Sequence, residues 1–194
     1  TNGWDGVANT SMQIANTKGY MFFVRGDRTV TTSAAPATAV TLRTSGQLYT
    51  KGSNAPSTIT VPAGKFESVG NPYASAIDFR KLTKSAAPDV ADIFYVWDPL
   101  LTNTYNGLGG YQTISGVAGY IPTAGNGTDY YPAGIPSPNI ESGQAVFIQG
   151  NATGGNVNFN ENCKVSGSRL VNRGNDNFPQ GRRFLFTTLF SNTG

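Results

Sequence analysis

The chain has no histidine among its 194 residues and a single cysteine, Cys163. The first absence removes the commonest general base and metal ligand, so Ser-His-Asp, Cys-His and histidine-zinc chemistry are excluded within one chain. The second excludes an internal disulfide framework, and Cys163 reads as a small buried residue rather than a reactive thiol. Charge is scarce as well, at 13% of residues, with 14 basic and 11 acidic groups giving +3. They are scattered, so no basic stripe offers a footprint for a phosphate backbone, and nucleic acid is not an expected partner. No run of about 18 apolar residues could span a bilayer, and no charged-then-apolar leader opens the chain. It begins at Thr1 without methionine, which suggests a processed piece of a larger protein.

Acid–base pairs are scarce for a geometric reason. Asp92 and Asp98 share a parity on one expected strand, but six residues of strand separate them by about 20 Å, whereas a glycosidase needs roughly 5 to 9.5 Å. With no histidine and no such pair, enzyme activity is not expected, and no cofactor motif is present. Calcium is the one metal whose oxygen ligands the composition leaves open. The oxygen-rich run NRGNDN at 172–177 has one carboxylate and lacks the alternating acidic spacing of a calcium loop, so it reads as a solvated turn.

What the chain does contain is 38% hydrophobic residues, enough for a core, with polarity carried by Asn, Thr, Ser and Gly. GYMFFVRGDR at 19–28 and IFYVW at 93–97 are apolar on both parities and read as strands covered on both faces. Gly26-Asp27 supplies a turn, a sufficient reason for the Arg25-Gly26-Asp27 tripeptide. Thr-rich alternation around Val40, Leu42, Leu48, Tyr49, Ile59 and Val61 predicts short half-buried strands. A further strand, Lys65 to Val69, ends at Gly70 and meets the rigid Asn71-Pro72-Tyr73 corner. A short helix is expected next, capped by Ser75 or Asp78 and running to Leu82, with Ile77 and Leu82 inward and Arg80, Lys81 and Lys84 outward. Tyr111, Thr113 and Ile114 look like the return arm of a hairpin from the 93–97 strand. QAVFIQ at 144–149, NVNFNEN at 156–162 and RRFLFTTLF at 182–190 complete the strands, with Asn156, Asn158, Asn160 and Asn162 on one parity and Val157 and Phe159 on the other. The expected core is Phe22, Val24, Phe66, Val69, Ile77, Phe94, Val96, Trp97, Phe147, Phe159 and Phe186.

The candidate ligand-binding residues are Tyr105, Tyr111, Tyr120, Tyr130 and Tyr131. Their rings, beside Asn, Gln and Asp, suit stacking on a sugar, which makes a surface glycan a candidate partner. Sequons at Asn9, Asn126 and Asn151 mark surface positions at most.

The segments GYMFFVRGDR, FESVGNPYASAIDF, FYVWDP, GGYQTI and SGQAVFIQ, followed by FNENCK and RRFLFTTLF, occur in an order that resembles a module of large secreted Bacteroidota surface proteins exported by the type IX secretion system. Ala76 stands where that pattern often has proline. The resemblance implies an extracellular or outer-surface location, with further chain on both sides including a C-terminal sorting domain, and it supplies no catalytic residues. The expectation is one all-β, antiparallel β-sandwich-like domain over 1–194 with roughly ten strands and one short helix. Its expected role is structural or adhesive, as the repeating subunit of an extracellular filament or layer; the alternative is a carbohydrate-binding module. Homo-polymerisation is expected through a terminal segment, 1–18 or 182–194, pairing with the sheet edge of the next copy.

Overall fold

A computed structural model describes residues 6–9, 11–12, 17–24, 27, 29, 48–50, 58–85, 89–98, 110–122, 134–166 and 183–187. Within them the chain is all-β. In order the strands are β1 (Tyr20–Val24), β2 (Thr58–Val61), β3 (Phe66–Gly70), β4 (Ile77–Asp78), β5 (Thr83–Lys84), β6 (Val90–Asp98), β7 (Gly110–Ser115), β8 (Asn139–Ile140), β9 (Ala145–Gly150), β10 (Gly155–Asn158) and β11 (Arg183–Thr187). A four-stranded sheet runs β3-β9-β6-β7, a three-stranded sheet runs β2-β10-β5, and β4-β8 and β1-β11 form two-stranded pairs. Every pairing is antiparallel.

The core follows from period-two alternation. Ile59 and Val61 of β2, Val157 of β10, Phe94 and Val96 of β6, Ile114 of β7, Val146 and Ile148 of β9, and Val69 of β3 are all buried in one cluster. In β6 the register slips between Val90 and Phe94. This bulge turns Asp92 to solvent while Phe94, Val96 and Asp98 stay buried. Between β9 and β10 the chain turns tightly at Gly154, whose φ is +67°; a Cβ there would lie 2.6 Å from the Val61 carbonyl oxygen. Only glycine fits both the dihedral and the space.

The corner after β3 is held by one side chain. Asn71 is 1% exposed, and its Nδ2 donates to the carbonyls of Ser75, Ile140 and Glu141 at 2.9, 3.1 and 3.0 Å. Its Oδ1 accepts the Tyr73 N–H at 3.0 Å, and its own N–H donates to the Gln144 carbonyl. One residue thus ties the 71–75 corner to the 140–144 stretch, satisfying backbone groups that the turn would strand in the interior. Tyr73, delivered into the core, packs edge-on against Tyr49 and Phe159 with ring centres 5.2 and 6.3 Å away. Proline at 72 rigidifies the corner, but Asn71 knits it to the rest of the fold.

Several expectations need correction. The helix before Leu82 is instead the short strand β4, in register with β8 through Ile77 and Ile140, followed by a single 3-10 turn, Phe79–Lys81. Asp78 caps it by accepting the Arg80 N–H, and Ser75 is not the cap. Pairing of Ile77 and Asp78 leaves too few residues for an α-helical turn, and Thr83 re-enters a strand at once. A second 3-10 turn, Glu161–Cys163, ends the NVNFNEN strand early, at Asn158. Tyr49 is buried without belonging to a strand. Phe66 is 55% exposed, and Trp97 and Phe147 are half-buried; all three lie on the outer face of their sheet, because the inner positions belong to their neighbours Glu67, Val96 and Val146. Lys84 does not point to solvent: its ammonium lies 4.0 Å from the centre of the Phe79 ring. Phe22, Val24 and Phe186 occupy the β1-β11 pair, but their side chains lie outside the described residues, as do Val40, Leu42, the 172–177 turn, Asn126 and Arg25-Gly26. Val69, Ile77, Phe94, Val96 and Phe159 are buried as expected.

Candidate functional site

Three clusters of polar and aromatic side chains lie at or near the surface. The first is the outer face of the four-stranded sheet. Register places Trp97 opposite Tyr111 and Tyr95 opposite both Thr113 and Phe147, so side chains from three strands converge on one face. Trp97 and Tyr111 meet edge to face at 5.0 Å, Tyr111 and Phe147 at 5.6 Å, and Phe66 and Tyr95 at 5.3 Å. The Tyr95 hydroxyl donates to Gln149 Oε1. Tyr111 remains 37% exposed, yet burial pushes its phenol up to about 12. These rings are interlocked at steep angles rather than laid flat side by side.

The second cluster surrounds Asp92. Its Oδ2 accepts the Tyr120 hydroxyl at 2.7 Å, and its Oδ1 pairs with the Lys84 ammonium at 2.9 Å. Lys84 also donates to the Phe79 carbonyl. Beside it, Arg80 grips Asp78, its Nε donating to Oδ1 and its Nη2 to Oδ2, and lies 5.9 Å from the Tyr120 ring centre. Partial burial disfavours the charged form of Asp92, but the hydrogen bonds from Lys84 and Tyr120 outweigh it and hold the carboxyl below its usual range. Burial, then the bond to Asp92, pushes the Tyr120 phenol up. Both oxygens of each carboxylate are engaged by neighbouring side chains, which fastens β6 to the turn after β4. Tyr120 adopts a positive φ of 61°, a strained backbone held by its N–H to the Ser115 carbonyl and by its carbonyl to Ser137 N–H.

The third cluster is the outer face of the three-stranded sheet. Thr58 and Thr83 flank Asn158 on one rung, and Thr60 faces Asn156 on the next. Thr58 Oγ1 donates to Asn158 Oδ1, and Thr60 Oγ1 to Asn156 Oδ1 at 3.1 Å. Thr58, Thr60, Thr83 and Asn156 are exposed, while Ile59, Val61 and Val157 between them are buried.

Of the tyrosines singled out from the sequence, the structure describes two, and it does not bring them together. Tyr111 sits opposite Trp97, and Tyr120 follows Ser115, which sits opposite Ile93. That is about 13 Å further along the ladder. Tyr105, Tyr130 and Tyr131 lie outside the described residues. Sequence reasoning missed the Asp92 knot, because a bulge and a turn create it. It also missed the buried Gln112–Asp98 hydrogen bond, in which Nε2 donates to Oδ2 at 3.3 Å. The Asn/Thr face was half visible: the Asn parity of β10 was legible, its Thr partners on β2 and β5 were not. Cys163 is buried, its Sγ donates to the Asn160 carbonyl, and burial raises its thiol. Among the described residues no three His, Cys, Asp or Glu side chains converge as metal ligands, and no helix is long and apolar enough to cross a membrane.

Residues 1–180 match the family model described as Domain of unknown function (DUF8693). Neither a curated protein nor a solved structure matches the chain.

Proposed function

The chain belongs to the DUF8693 family, and we propose that it is a secreted or cell-surface module with a structural and adhesive role, assembling with copies of itself through its terminal strands. The observation that carries this reading is the pairing of the first and last strands among the described residues. β1 and β11 pair over Tyr20↔Thr187 to Val24↔Arg183 and are members of neither large sheet. A two-stranded ribbon is marginal by itself in water. The same five-residue register is satisfied equally well when β11 comes from a neighbouring copy, and a head-to-tail exchange of that kind propagates into a filament. The low charge and the Asn/Thr-rich composition support an extracellular setting, and the engaged carboxylates of Asp78 and Asp92 support a non-catalytic one.

Facing positions in the ribbon give the test. Phe22 and Leu185 are register partners, close enough for a disulfide in antiparallel strands. A Phe22→Cys/Leu185→Cys variant oxidised after concentration should give a ladder of covalent multimers on a denaturing gel, beside filaments of the native chain by electron microscopy. Covalent monomer alone, with a monomeric light-scattering mass, retires the assembly.

A second reading, a carbohydrate-binding module acting through the tyrosines, draws on the exposure of Tyr111 beside Trp97. It requires that Tyr111→Ala abolish retention on a glycan that binds the native chain.

A further inference from the structure

We infer that the outward face of β9, at Ala145 and Phe147, is the docking seat for the last strand, β11, of a second copy. The inference rests on the self-assembly reading above and names where the exchanged strand lands.

Within one copy the seat is already occupied, and its occupant shows what it fits. Cα atoms of β11 come within 8 Å of those of β9. Both edges of β9 are taken, one by β3 and the other by β6, so β11 reaches it across a face. The inner face is closed to it, because Val146 and Ile148 lie there in the shared core. Ala145, Phe147 and Gln149 share the outward parity. Phe147 and Gln149 are half-buried, yet Ala145 is 1% exposed, so that end of the face is covered. The chain entering β1 covers it. Thr17 to Gly19 run along the edge of β3 away from β9, with the Gly70 N–H donating to the Thr17 carbonyl at 2.9 Å and the Gly19 N–H to the Ser68 carbonyl at 3.3 Å. A Cβ on Gly19 would lie 2.7 Å from Ala145 Cβ and closer still to Ser68 Oγ, which sets Gly19 over the outward side of both strands. From Tyr20 onward the chain pairs with β11 instead.

A ribbon that starts over Ala145 and approaches β9 from outside is laid on the sheet rather than added to its edge. That gives two strands the apolar face they need for stability. Beyond Phe147 the face continues to Tyr111 and Trp97, with successive ring centres 5.6 and 5.0 Å apart. RFLFT at 183–187 has three consecutive apolar residues and so carries one on either parity. When one copy gives its β11 to a neighbour, the vacated seat offers the β1 edge for backbone pairing and the β9 face for packing. The β11 of another copy matches both.

Photo-cross-linking tests the seat. The chain with p-benzoylphenylalanine in place of Phe147, mixed from equal parts of heavy-isotope-labelled and unlabelled protein and concentrated, should react on irradiation with residues 183–187. Mass spectrometry should find pairs in which one peptide is labelled and the other is not. The same photo-reactive residue in place of Thr60, on the outer face of the other sheet, should give no such pair. Gly19→Val should cut the mixed pairs at least about fivefold, because its side chain meets Ala145 and Ser68. Cross-links from Phe147 to other segments, or mixed pairs undiminished by Gly19→Val, in chains that still form the covalent ladder through Phe22→Cys/Leu185→Cys, would overturn the seat and leave the assembly standing. Cross-links to 183–187 that never mix labels, in a chain of monomeric mass, would overturn both.

Discussion

The two large sheets share one interior and differ in what they turn outward. On their inner faces both contribute to a single cluster, the three-stranded sheet through Ile59, Val61 and Val157 and the four-stranded sheet through Val69, Phe94, Val96, Ile114, Val146 and Ile148. Outward, the four-stranded sheet carries Phe66, Tyr95, Trp97, Tyr111 and Phe147, whereas the three-stranded sheet carries Thr58, Thr60, Thr83, Asn156 and Asn158. The first set is locked by edge-to-face ring contacts and the second by hydroxyl–amide bonds. Inner positions are therefore answerable to stability in both sheets. Outer positions are expected to be answerable to it chiefly where aromatics interlock.

The sharpest way to break that picture is to attack the shared interior. Phe94, fully buried and 4.8 Å from Phe79, should cost about 3 to 5 kcal/mol when replaced by alanine. Because one core serves both sheets, urea unfolding should stay a single transition; two separated transitions would mean that the sheets are held independently. Asn71→Ala comes next, at about 3 kcal/mol, since it strands the carbonyls of Ser75, Ile140 and Glu141 and the Tyr73 N–H together. A loss below about 1 kcal/mol would hand the corner back to Pro72.

Tyr111→Ala sits in the middle of the range, at about 1 to 2 kcal/mol, because it deletes ring contacts to both Trp97 and Phe147. Near-neutral behaviour in urea would show the aromatic face to be as free as the other. Acid should act more weakly still. Partial burial disfavours ionised Asp78, but its bonds with Arg80 outweigh that and lower its pKa; Asp92 is lowered as well. A folded-state pKa below the unfolded value gives stability that is complete above the unfolded value, near 3.9, and fades as pH falls through the folded one. With no histidine to titrate, the melting temperature should be flat from pH 5 to 8 and decline only below about pH 4. A step between pH 5 and 7 would contradict the assignment.

How much of this was legible beforehand follows the range of the interactions. Local pattern revealed β1, β2, β3, β6, β7, β9, β10 and β11, as apolar runs on both parities in β1 and β6 and as period-two alternation in β2 and β10. The two-residue strands β4, β5 and β8 are too short to carry a pattern and exist only because a partner is present. Trp97 was read as core because an apolar run does not say which parity faces in; the Asp92 bulge and the Asp98–Gln112 contact decide that. Likewise the Asn side of the polar face was visible in β10, but threonines some hundred residues earlier meet it only through the fold.

The smallest expected effect tests the polar face itself. Thr60→Val keeps the branched shape and removes only the hydroxyl that donates to Asn156 Oδ1. Thr60 is exposed, so water takes over the vacated acceptor, and valine suits a strand at least as well as threonine. The change in unfolding free energy should therefore stay within about 0.5 kcal/mol. The m-value should not move, because no surface changes its burial. A loss above about 1.5 kcal/mol would mean that the Thr–Asn rungs fasten the sheet as the rings fasten the other. Both outer faces would then be structural, and the contrast between the two sheets would collapse.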